Sequence, residues 1–176
     1  MYSNYRAVHH AVASMPYCNE WKDNYRIRSP QALIKAEARS LMCMEGALYA
    51  GVMLERVGVN DLCYLGIHRE DKEGNQSGHC VCVYRVNDRY GCISVSNIDT
   101  LVSFLPRYET IEEVVEFYIN AYHRAGFKPM FYGLFKGDDF VNALNKDWAS
   151  TEDDLSELSD YILNNYQYEI SYEPAN

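Results

Sequence analysis

The stretch "HCVCVYRVNDRYGCISVSN", residues 79–97, decides the fold. Two runs rich in valine, isoleucine, tyrosine and cysteine flank Asn87-Asp88, a dipeptide that suits a tight turn. The stretch therefore reads as an antiparallel β-hairpin. Its loop length sets which residues oppose one another. A two-residue loop opposes Val81 to Ser94 and Val83 to Cys92. A three-residue loop opposes Val81 to Val95 and Val83 to Ile93, giving one continuous apolar face. A buried face fixes register strongly, so the three-residue loop is the expectation. That register sets His79 opposite Asn97 at the open end of the hairpin, with Cβ atoms about 4.5–5.5 Å apart. An imidazole and a carboxamide at that spacing are within hydrogen-bond reach.

Working outward, "DLCYLGI" (61–67) is a further strand, and "HREDKEGNQSG" (68–78) a polar loop. Upstream, Ser29-Pro30 opens a short helical segment with a serine cap and proline in the first turn. Ser40 is the expected cap of a second helix that runs to about Arg56 and stops at Gly58. Cys43 then lies in its first turn, and Ala47, Ala50, Gly51 and Leu54 follow at helical spacing. Downstream, "YETIEEVVEFYINAYHRAG" (108–126) is a helix with a Thr110/Glu113 capping box and a glycine stop at Gly126. "KPMFYGLFK" (128–136) is extended, and an acidic helix is expected over about 150–166. This order predicts an α+β fold with an antiparallel sheet, in a single domain over 1–176 whose core spans about 29–135.

The chain has 176 residues, 48% of them hydrophobic, with 16 tyrosines and a formal charge of −9. That acidic balance argues against nucleic acid or an anionic membrane as partner. No run is apolar and long enough to span a bilayer, and "MYSNYRAVHHAVASM" lacks the h-region of a signal peptide. The six cysteines, Cys18, Cys43, Cys63, Cys80, Cys82 and Cys92, are thus expected as reduced thiols in a cytoplasm. Cys80 and Cys82 alternate away from His79 and are expected to pack beneath a helix. With Cys63 they lack the second knuckle of a zinc site, so no metal is expected.

Taken alone, Cys43 in its apolar helix reads as a core residue. A cysteine at a helix N-terminus, a histidine and an asparagine together carry a different meaning. The helix dipole favours the thiolate, the imidazole acts as base and then acid, and a third group holds the ring. Cys43, His79 and Asn97 supply these types in that order, with Asp99 as the alternative third member. Glu45 lies about 200° round the helix from Cys43 and is expected to pair with a positive group or support the fold. Gln31 could reach an oxyanion site, although nothing in its spacing requires it.

"CMEGALYAGVMLERVG", "GHCVCVYRVNDRYGCISVSN" and "LVSFLPRYETIEEVVEFYINAYHRAG" resemble the transglutaminase-like branch of the papain-like cysteine hydrolases, in its bacterial and phage forms. The family usually carries aspartate where this chain has Asn97. The resemblance implies a transglutaminase-like core with the cysteine helix packed on the sheet. It also implies Cys43 as nucleophile, His79 as base and Asn97 as third member, acting through a thioester without cofactor or metal. A protein, peptide or amide is the implied substrate, and a bacterium, or an infected bacterial host, the implied setting. The thioester is resolved by water in a protease or amidase and by an amine in an acyltransferase. An inactive module that binds a protein partner is the competing expectation.

Overall fold

A computed structural model describes residues 4–18 and 26–171. Six strands form one antiparallel sheet in the order β4-β3-β2-β1-β5-β6. They are β1 (Leu62–Glu70), β2 (Gln76–Val86), β3 (Arg89–Ile93), β4 (Phe104–Tyr108), β5 (Lys128–Phe135) and β6 (Tyr168–Glu169). The helices are α1 (Tyr5–Ala13), α2 (Pro30–Lys35), α3 (Cys43–Glu55), α4 (Ile111–Arg124), α5 (Gly137–Leu144) and α6 (Glu157–Asn164). The expected α+β class with an antiparallel sheet is observed. No helix among the described residues is long and apolar enough to cross a membrane.

The sheet is covered on both faces. Tyr64, Cys80, Cys82, Tyr84, Ile93 and Phe135 pack against the side that carries α1, α3, α5 and α6. Leu65, Ile67, Val81, Val83 and Cys92 pack against Val114, Tyr118 and Tyr122 of α4. Cys80 and Cys82 thus lie beneath a helix, as expected. Gly46 lets α3 approach closely, since a Cβ there would meet Val95 Cγ2 at 2.5 Å.

This double covering corrects the hairpin register. β2 and β3 pair Cys82 with Ile93, Val83 with Cys92 and Tyr84 with Gly91 across a two-residue loop. Asn87 and Asp88 both take positive φ, 52° and 60°. That is the turn whose twist matches the flanking strands, and asparagine and aspartate tolerate its left-handed backbone. The expectation of one apolar face had no force, because a helix layer waits on either side of the sheet. Two further strand bounds move as well. β1 and β2 extend through Glu70 and from Gln76, shortening the polar loop, and β3 stops at Ile93.

Helix ends follow local chemistry. Ser29 Oγ accepts from Ala32 N at 3.1 Å, and Pro30 opens α2, as its sequence predicts. Thr110 and Glu113 form their capping box, and Gly126 has φ 82° after α4. Gly58, at φ 87°, ends the turn after α3. Ser40 does not cap α3. The N-cap is Met42, whose N–H donates to Glu45 at 3.0 Å, while the Ser40 carbonyl accepts from Arg28 Nη2 at 3.0 Å. The acidic helix begins at Glu157 rather than near 150. Before it, Asp154 accepts from Ile27 N and Ser156 N, and this segment bridges Arg28 instead of coiling.

Candidate functional site

The ladder between β2 and β3 ends at Cys82 and Ile93. Beyond it, residues 76–81 of β2 keep their pairing with β1 but have no β3 partner on the other side. The first turn of α3 comes to this open edge. Cys43 is its first helical residue, and the backbone N–H groups of Cys80, Met44 and Cys43 itself favour its thiolate form.

Glu45 anchors that turn. Its side chain is buried, and Oε1 accepts from Arg28 N at 3.0 Å and Nε at 2.8 Å. Oε2 accepts from Arg28 Nη2 at 2.8 Å and from the Met42 N–H. The expectation that Glu45 pairs with a positive group and supports the fold is met, and the partner is Arg28.

Cys43, His79 and Asn97 all line one cavity of about 240 Å³. Ile27, Met42, Ile162 and Tyr166 supply much of its apolar wall, and Arg69 and Ser77 its polar groups. The volume lies just below the range of about 300–1,000 Å³ common for small-molecule sites. It suits one side chain or a small acyl group. Gln31 and Asp99 are not among the lining residues.

His79 is 7% exposed, and its ring faces Tyr118 and Tyr122 of α4, each ring centroid 6.4 Å away. Nε2 bonds to Ser94 Oγ at 2.8 Å. The expected cross-strand pair of His79 and Asn97 is not formed. The two-residue turn moves the register, and β3 ends before Asn97, which stays exposed on the cavity rim. Ser94 was not among the candidates drawn from sequence. Asn87-Asp88 was the signal that could have found it, because the two-residue loop sets Ser94 on the face of His79 and Val81.

Ser94 sits beside Tyr118, whose hydroxyl donates to the Val102 carbonyl at 3.0 Å and lies 3.0 Å from Cys92 Sγ. Where the Ser94 oxygen accepts from His79 Nε2–H, the imidazole lone pair lies on Nδ1. Ser103 fixes Ser94 from the other side, accepting from Ser94 N at 2.8 Å and donating to its carbonyl at 3.0 Å.

The Cys43 thiol and the His79 imidazole both rest neutral at pH 7. Burial pushes the Cys43 thiol up, against the opposing pull of the three backbone N–H groups and the Arg69 guanidinium. Burial, and then Arg69, lowers His79 to about 3. No hydrogen bond joins the Cys43 sulfur to the His79 ring among the described residues. Cys43 nonetheless keeps part of its surface exposed, unlike Cys80, Cys82 and Cys92.

No protein-family model matches the sequence, and no curated protein matches it.

Proposed function

We propose that this protein is a thiol-dependent amidase, protease or acyltransferase with a transglutaminase-like core, in which Cys43 is the nucleophile. The observation that supports this most is the convergence at the open edge of β2. A part-exposed thiol at a helix N-terminus shares a small cavity with an imidazole held by Ser94.

In this mechanism Cys43 starts as the thiol. Its sulfur forms a bond to the substrate carbonyl carbon while its proton passes to His79 Nδ1. The developing oxyanion is met by the Cys43 and Met44 N–H groups at the start of α3. Collapse breaks the C–N bond, and His79 returns the proton to the departing amine. Water or an acceptor amine then attacks the thioester, again through His79, and releases Cys43. Ser94 keeps Nδ1 available as the base, and Asn97 borders the entrance.

The neutral thiol, the weakly basic imidazole and the missing Cys43–His79 hydrogen bond favour a second reading: a catalytically inactive module that binds a protein partner. Incubation with p-nitrophenyl acetate and with glutamine-containing peptides, followed by peptide mass spectrometry, separates the two. An acyl group on Cys43 that disappears in His79→Ala supports the enzyme. Acylation equally distributed over the thiols, or unchanged in His79→Ala, overturns it.

A further inference from the structure

Arg69 carries an inference beyond the nucleophile and base. It sits on β1, one pleat beyond Ile67, whose partner across the ladder is His79. Its guanidinium carbon lies 3.7 Å from the Phe127 ring centroid and 5.4 Å from that of Tyr122. These faces hold the planar group in one orientation. Nε and Nη1 are buried and have no hydrogen-bond partner, and no carboxylate among the described residues forms an ion pair with Arg69.

A partly desolvated cation without a counter-ion is costly, and the aromatic faces offset only part of that cost. Arg69 borders the cavity that holds Cys43 and His79, and its charge acts on both. In a chain of net charge −9, this is a local positive centre inside an acidic protein.

We infer that Arg69 forms an anion subsite beside Cys43, and that the substrate presents a carboxylate to it while its acyl carbon sits at the sulfur. This rests on reading the cavity as the substrate site and names the substrate class. With Nε and Nη1 closed off by the protein, Nη2 is the guanidinium nitrogen left to meet a carboxylate, in a charge-assisted hydrogen bond. The small cavity limits the link between carboxylate and acyl carbon to a few atoms. The carboxylate can come from a peptide C-terminus or from an acidic side chain.

The test is the alkylation rate of Cys43, followed site by site, with anionic iodoacetate and neutral iodoacetamide. Each rate is divided by that of N-acetylcysteine. The ratio of the two reagents is expected to fall about tenfold in Arg69→Gln and to recover in part in Arg69→Lys. A fall of less than about threefold overturns the subsite. The ratio cancels any effect of Arg69 on thiol ionisation, which slows both reagents alike.

Protection of the unaltered protein gives a reading that does not depend on a variant folding. Glutarate is expected to slow iodoacetamide at Cys43, and glutaramide to have no effect. Equal protection by the two overturns the subsite, and stronger protection by inorganic phosphate overturns the carboxylate assignment. A dipeptide with a free C-terminus and N-acetylglutamate amide serve as further competitors, and whichever protects identifies the source. These rates stay measurable if Cys43 proves not to be acylated, so the subsite and the catalytic reading can fail separately.

Discussion

His79 Nε2 lies 2.8 Å from Ser94 Oγ, although Ser94 is already past the last paired residue of β3. The contact exists because the chain leaves the ladder at Ile93 and folds its serine back beside the imidazole. Ser94→Ala leaves a buried ring nitrogen without a partner, at a cost of about 1–3 kcal/mol. It also frees the ring to turn. Acylation of Cys43 is expected to slow about 5- to 100-fold, measured by mass spectrometry against time. Asn97→Ala, at the rim, is expected to slow it less. The reverse order would restore Asn97 as the group that orients His79.

His79 and Cys43 each help to bound a stability plateau. His79 falls from an ordinary 6.5 to about 3, so the unfolded chain takes up its proton first on acidification. Its contribution is complete above pH 6.5 and is lost as pH falls toward 3. The Cys43 thiol is raised above 9.0, so the unfolded chain ionises first in alkali and stability falls above pH 9. Urea unfolding across pH is expected to show the plateau between these limits. His79→Gln is expected to flatten the acid limb.

Cys43 alkylation by iodoacetamide is expected to rise with a midpoint above pH 9, since burial outweighs the N–H groups and Arg69. A midpoint near 4–7 would instead reveal a preformed thiolate–imidazolium pair.

Glu45 holds the first turn of α3 through Arg28 and the Met42 N–H. Glu45→Ala strands the guanidinium and two N–H groups, and is expected to cost about 3 kcal/mol in chemical denaturation. Cys43 alkylation should accelerate in the same variant, because the turn that seats the thiol loosens.

Gly46→Ala places a methyl group against Val95 and is expected to cost about 1–3 kcal/mol. Val95→Ala should relieve much of that loss, and a thermal-melt double-mutant cycle measures the coupling.

Much of the framework is legible in the chain because local chemistry specifies it. Ser29-Pro30, Thr110 with Glu113, Gly58 and Gly126 mark helix ends through their own hydrogen bonds and backbone freedom. Valine-rich and aromatic runs mark β1, β2 and β5, and Cys43 falls in the first turn of its helix. α1, β4, α5 and β6 leave weaker signals, being short elements whose stability comes from docking rather than propensity.

Tertiary structure alone decided the site's internal arrangement. Alternating hydrophobicity fixes register only where one face meets solvent, and here α3 and α4 cover both faces. The turn residues Asn87 and Asp88 therefore set the register, and Ser94 replaced Asn97 beside His79. Arg69 was hidden for a related reason. Its residue type reads as a surface charge until Phe127, Tyr122 and the cavity close around it. Local sequence determines which groups can react. The packing of distant elements determines which of them meet, because burial and counter-charges are properties of the assembled neighbourhood.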